Sequence, residues 1–342
     1  MERMVIGKTG LEVNRFGLGG IPIQRVSESQ AVETVLHAIE KGVDFIDTSR
    51  AYTTSERRIG LALKQTDKKI ILASKSTNKT AEGARADLET SLKELQRDYI
   101  DLYQCHFVKD EAEYQKVISS GGAFEGLRKA KEEGLIGHIG ITSHSLDVLA
   151  LSLDTGLFET IMACFSFLEP LAREKIIPKA VEKKVGVIAM KPFSGGVIES
   201  ANLALKYVFG QPEVLVIAGV EHRDLFDENW AIFQKGEKLT GDEIEEIAKI
   251  QKAYEKAFCR RCDYCQPCPE EIPIQAILGI RSMVKRMGKA ILQKGSRHRE
   301  AIDKAGGCTG CKECTNRCPY QLAIPDLIQE NLHWVDEQLK SL

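Results

Sequence analysis

Eight of the chain's ten cysteines stand in two runs near the C-terminus, Cys259-x2-Cys262-x2-Cys265-x2-Cys268-Pro269 and Cys308-x2-Cys311-x2-Cys314-x3-Cys318-Pro319. Two residues between cysteines let neighbouring thiolates reach adjacent irons of a cubane. The proline after each last cysteine stops a helix from running through the ligand. The spacing therefore predicts [4Fe–4S] ligation and one-electron chemistry. Far upstream stand four groups of a different kind: the Asp47 carboxylate and Tyr52 phenol in Phe45-Ile-Asp47-Thr-Ser-Arg-Ala-Tyr52, the Lys75 amine in Leu72-Ala-Ser-Lys75, and the His106 imidazole in Leu102-Tyr-Gln-Cys-His106. Carboxylate, amine and imidazole each close a short apolar run, and Tyr52 lies on the loop beyond the first of these runs. Groups of these types move protons.

Elements must bring those groups together. Short β-rich runs are expected at residues 15–19, 44–48, 69–75, 99–106, 136–142, 160–165, 186–190 and 214–219. Between them, apolar residues at helical spacing predict helices over residues 28–41, 55–64, 81–95, 123–133, 146–155, 172–184, 200–209 and 223–234. Eight β–α repeats argue for an α/β fold, a (β/α)8 TIM barrel, over a doubly wound sheet, and in such barrels the chemistry sits where strands end. A further helix begins at Thr240, with Glu243 completing a capping box. The expected organisation is a barrel over residues 1–258 and a small iron–sulfur domain over residues 259–342. Between the cysteine runs, Ile272, Ile274, Ile277, Leu278, Met283, Val284, Met287, Ile291 and Leu292 recur at helical spacing, so this domain is expected to be helical. The same stretch is basic, with Arg281, Lys285, Arg286, Lys289, Lys294, Arg297, Arg299 and Lys304 against Glu300 and Asp303.

The set Asp47-x4-Tyr52, Lys75 and His106 resembles the catalytic tetrad of the aldo-keto reductases. The opening Gly7-Lys-Thr-Gly10-Leu-Glu-Val and Phe16-Gly-Leu-Gly19 resemble that family's first hairpin and strand. The resemblance covers about the first 235 residues. With the tail, the chain is similar to a branch of that family carrying a C-terminal ferredoxin-like domain. It implies carbonyl reduction by hydride from a nicotinamide. Tyr52 would protonate the carbonyl oxygen if its pKa, about 10 when unperturbed, is lowered. Lys75 would stabilise the phenolate, Asp47 would hold Lys75, and His106 would orient the carbonyl. Cofactor contacts carried over by position are Ser143 and His144 for the carboxamide, Met190 beside the nicotinamide, and Lys191, Phe193 and Gly195 over the pyrophosphate. Gly219, Arg223 and Asn229 fall at the adenine end. Arg223 suits a 2′-phosphate, so NADP(H) is expected, with NAD(H) as the alternative.

The tail resembles the α-helical type of dicluster ferredoxin. In the two-cluster bacterial pattern the fourth cysteine of each run serves the other cluster. That carry-over assigns Cys259, Cys262, Cys265 and Cys318 to one centre, and Cys308, Cys311, Cys314 and Cys268 to the other. A single cluster on the first run, which has two rather than three residues before Cys268, stays open. Structural zinc fits runs of four cysteines less well, and disulfides suit a secreted domain. Met-Glu-Arg-Met-Val-Ile begins no apolar signal core and no run is long enough to cross a membrane, so a reducing cytoplasm is expected. The net charge of −2 gives no sign of a nucleic-acid binder. The resulting expectation is an NAD(P)H-dependent oxidoreductase acting on a small-molecule carbonyl, with clusters for auxiliary electron transfer. An acidic redox partner, a ferredoxin or flavoprotein, would match the basic stretch. Two alternatives remain at this stage. One is an electron-transfer or regulatory protein whose barrel binds nicotinamide with little turnover, and the other a reductase whose clusters feed a substrate or bound flavin.

Overall fold

The computed structural model describes residues 2–340. Met1, Ser341 and Leu342, at the ends of the expected domains, lie outside the described residues, as does the Arg286 side chain of the basic stretch. An antiparallel hairpin of β1 (Arg3–Val5) and β2 (Glu12–Asn14) precedes eight barrel strands. These are β3 (Phe16–Gly19), β4 (Phe45–Asp47), β5 (Ile71–Ser76), β6 (Ile100–Cys105), β7 (Ile136–Ser143), β8 (Thr160–Cys164), β9 (Gly186–Met190) and β10 (Val214–Gly219). Each pairs in parallel with its neighbour in the chain, and β10 returns to β3 to close the barrel. Around it run α1 (Glu28–Lys41), α2 (Ser55–Leu63), α3 (Ala81–Leu95), α4 (Glu111–Ile118), α5 (Ala123–Glu132), α6 (Leu146–Thr155), α7 (Ala172–Lys175), α8 (Ile177–Glu182), α9 (Ala201–Phe209) and α10 (Arg223–Lys235).

The strand period of two builds two cores. Ile46, Leu72, Tyr103 and Cys105 face outward into the layer shared with the helices. Phe45, Ile71, Ala73 and Leu102 face inward, where Ile6 and Val13 of the hairpin region join them. Continued along each strand, the same alternation turns Asp47, Lys75 and Gln104 to the inside. Cys105 accordingly packs as an apolar thiol, and burial pushes its pKa up to about 12.

Two expectations about helices are corrected. The helix expected over residues 172–184 is broken in two at Ile176, because Pro178 lies in the first turn of α8 and lacks the N–H that a continuous helix would need. Helix α4 was not foreseen, although Asp110 caps it by accepting from the Glu113 N–H at 2.8 Å, an acid-first signature visible in the chain.

By its contacts the chain divides into two compact units, Met1–Ser194 with Ile198–Glu243, and Gly195–Val197 with Ile244–Leu342. The division falls near the start of α11 (Gly241–Tyr254), whose capping box forms: Thr240 Oγ1 accepts from the Glu243 N–H at 3.3 Å and Glu243 accepts from the Thr240 N–H at 2.9 Å. The second unit is helical, with α12 (Ile274–Leu278), α13 (Ile280–Met287), α14 (Arg297–Ala305), α15 (Glu313–Arg317) and α16 (Ile324–Lys340). Its core gathers Ile272, Ile274, Ile277, Ile280, Leu322 and Ile328 with the buried Cys265 and Cys314. No helix among the described residues is long and apolar enough to cross a membrane.

Candidate active site and cluster-binding cysteines

Asp47 ends β4, and Lys75 stands one residue before the end of the neighbouring β5, so both side chains enter the barrel at the same end. Lys75 Nζ donates to Asp47 Oδ2 at 2.6 Å and to the Thr48 carbonyl at 2.6 Å. The ammonium is fully buried and also lies 5.0 Å from the Tyr52 ring centroid. The turn after β4 presents Tyr52: its N–H donates to the Ser49 carbonyl at 3.0 Å, and its own carbonyl accepts from Ser55 at 2.8 Å. A buried Glu56, bonded to Ser74 Oγ at 2.5 Å and paired with Arg50, ties that turn to β5. His106 follows β6, its ring edge-on to Tyr52 with centroids 5.7 Å apart, and its Nδ1 lies 2.9 Å from Ser49 Oγ. The four candidate residues therefore meet.

Burial raises the Asp47 pKa above its ordinary value, and Lys75 draws it part of the way back. Burial works against the Lys75 charge, but Asp47 and Tyr52 together hold its pKa above the ordinary value, so the amine is a cation at neutral pH. For Tyr52 the shift runs opposite to the condition set by the resemblance. Burial raises its pKa, outweighing the downward pull of Lys75, and the phenol stays protonated. Burial, reinforced by the charges of Lys75, Lys79 and Lys191, holds His106 well below its ordinary value, so its imidazole is neutral.

The residues carried over for a nicotinamide cofactor are distributed as follows. The Ser143 hydroxyl donates to the Val108 carbonyl at 2.6 Å and accepts from the Ser145 N–H at 2.9 Å, which fixes the end of β7. His144 Nε2 lies 2.8 Å from Lys191 Nζ, and its ring is edge-on to Phe107. Met190 is half-buried against the inner core, and Phe193 packs on the outer one. Lys191, Ser194, Gly195 and Gly196 all have positive φ, giving the loop after β9 a backbone that turns its amides. Gly219 ends β10 where a Cβ would lie 2.7 Å from Pro22. Asn229 is buried on α10, whereas Arg223 is exposed and lies 3.7 Å from Glu33. At the N-terminus of α10 the N-cap His222 makes no side-chain capping bond, and Asp224 stands in the first turn. Sequence reading passed over Ser49, Arg50, Glu56 and Gln104. Gln104 had a signal, since it lies two residues before His106 on the same strand face.

In the second unit the cysteine thiols influence one another in two groups. Burial pushes Cys262 up to about 11, with Cys259 and Cys318 adding to the shift, and pushes Cys265 up to about 12, with Cys259 and Cys262 close by. Burial likewise raises Cys314, with Cys311 and Cys268 as its neighbours. Cys259, Cys262, Cys265 and Cys318 also line one cavity with Leu278, Leu322 and Ile324. Clustered thiols in an apolar shell fit iron–sulfur ligation, where bound iron would deprotonate them. Among the described residues no three His, Cys, Asp or Glu side chains stand close enough for a single metal ion. Cubane ligands each bind a separate iron and need no such convergence.

Residues 14–203 match the aldo/keto reductase family, and residues 258–323 match the 4Fe-4S dicluster domain. L-galactose dehydrogenase of Arabidopsis thaliana is 31% identical over 217 residues, which span 58% of this chain and 67% of that protein. Aldo-keto reductase YhdN of Bacillus subtilis is 28% identical over 228 residues, spanning 61% and 67% respectively. A solved aldo-keto reductase from Klebsiella pneumoniae in complex with NADPH shares the fold, with a TM-score of 0.62 at 20% identity over 73% of this chain and 95% of that one.

Proposed function

The chain belongs to the aldo/keto reductase family and is an oxidoreductase with a C-terminal 4Fe-4S dicluster domain, and from that premise we propose that it reduces a small-molecule carbonyl with hydride from NAD(P)H. One observation carries the proposal: the Tyr52 phenol, the buried Asp47–Lys75 ion pair and a neutral His106 meet at one end of the barrel. A bound nicotinamide would supply the hydride. As charge gathers on the carbonyl oxygen, Tyr52 gives it the phenolic proton and the Lys75 ammonium stabilises the phenolate that remains. Asp47 keeps Lys75 charged and in place. Ser49 Oγ lies 2.9 Å from His106 Nδ1, and in the tautomer where that hydroxyl donates to Nδ1 the ring proton sits on Nε2, where it can donate to the carbonyl oxygen. The loop after β9 supports dinucleotide binding. Arg223 is the group for a 2′-phosphate, shared with Glu33.

In the second unit, the crossed assignment is our reading of the cysteines: Cys259, Cys262, Cys265 and Cys318 for one cluster, and Cys308, Cys311, Cys314 and Cys268 for the other. The cavity that Cys259, Cys262, Cys265 and Cys318 share supports the first set, and Cys311 and Cys268 as neighbours of Cys314 support the second. Bound clusters would supply one-electron transfer, and the basic stretch suits an acidic carrier.

The test is anaerobic nicotinamide oxidation with a panel of aldehydes and ketones, NADPH compared with NADH. Tyr52→Phe is expected to lower kcat by about 10²–10⁴-fold while cofactor binding, read by fluorescence quenching, stays the same. A Tyr52→Phe protein that reduces carbonyls at the parent rate would overturn the proposed mechanism.

A further inference from the structure

We propose that Gln104 is a positioning residue for Asp47, a role that rests on the reductase reading above. Gln104 is fully buried. Gln104 Nε2 donates to Asp47 Oδ1 at 3.3 Å, while Oδ2 of the same carboxylate accepts from Lys75 at 2.6 Å. The amide thus occupies the oxygen that Lys75 leaves, and this fixes the plane of the carboxylate. It also fixes the amide itself, because only the NH2 end can face a carboxylate. The carbonyl end, Oε1, must then point elsewhere, and it is buried without a hydrogen-bond partner.

Gln104 is the register partner of Lys75 across β5 and β6, so the amide and the ammonium reach one carboxylate from neighbouring strands. The titratable groups acting on Asp47 are Lys75 from β5 and Tyr52 from the turn after β4. Gln104 is the neutral donor that lowers the Asp47 pKa alongside Lys75.

The positioning role is read from the pH dependence of kcat and from the Asp47 carboxyl titration by carbon NMR. In Gln104→Leu the Asp47 pKa should rise, and kcat should fall about tenfold with the KM for cofactor unchanged. Gln104→Glu should retain activity only on the acid side, where its protonated carboxyl can still donate. An unmoved Asp47 titration in Gln104→Leu overturns the role. If the parent protein reduces no carbonyl, the reductase reading fails by itself, and the titration still decides the inference.

Discussion

Lys75 is the residue on which the rest of the tetrad depends. A buried ammonium survives only with a close anion, and Asp47 at 2.6 Å provides it, so removing either partner strands a charge. His106 shows the opposite solution, since burial among lysines keeps it neutral. This has a consequence for stability. A histidine whose folded pKa lies below its unfolded value binds its proton in the unfolded chain first, so stability is full above the unfolded pKa of about 6.5 and falls as pH drops below it. The loss is at most about 1.4 kcal/mol per pH unit for one proton. Urea unfolding between about pH 7 and 5 should show this slope, and His106→Gln should flatten it. A variant with the parent's slope would mean that other groups set it. The tetrad's residue types could be read from the chain, but the raised pKa of Tyr52 could not. The desolvation that the half-buried ring meets at the end of the closed barrel outweighs the nearby charge.

Elements place these residues through parity and close packing. Phe45 faces in, Ile46 out and Asp47 in, and the same alternation carries Ala73 and Lys75, then Leu102 and Gln104, to the inside. A one-residue slip in any of these strands would turn its catalytic candidate toward the helices. Helix α2, which begins just after the Tyr52 turn, is held close to α3 at Gly60, where a Cβ would lie 2.4 Å from the Glu94 carbonyl. Backbone cannot yield as a flexible side chain can. Gly60→Ala is therefore expected to cost about 1–3 kcal/mol in chemical unfolding and to raise the mobility of the turn that carries Tyr52. Loss below about 0.5 kcal/mol would show that the two helices separate freely. Strand and helix positions were legible because apolar period and caps are local. The break at Ile176 was legible in principle from Pro178, and α4 from Asp110, but a long apolar pattern masked the first and a short polar helix hid the second.

At the scale of the whole molecule, the two units have separate cores, and candidate ligand cysteines belong only to the second among the described residues. The barrel core is continuous aliphatic and aromatic packing, whereas Cys265 and Cys314 sit inside the smaller one. Stripping iron anaerobically with a chelator is thus expected to remove or lower one thermal transition, that of the helical unit, and to leave the barrel transition within about 2 °C. Circular dichroism and calorimetry would check this. An unchanged melting profile after complete iron loss would show that the clusters do not hold the second unit together.

The sequence by itself determined the eightfold β–α repeat, the helical tail, the cysteine runs and the identity of the four groups at the strand ends. Each of these is written in local period or spacing. Only the tertiary structure decided which groups share a partner. Arg223, which looks like an isolated cation in the chain, lies beside Glu33 of α1, and Gln104 divides the Asp47 carboxylate with Lys75. Barrel closure brings β10 to β3 and sets residues far apart in the chain within a few ångströms. Charge pairing and desolvation depend on those distances, and no local pattern encodes them.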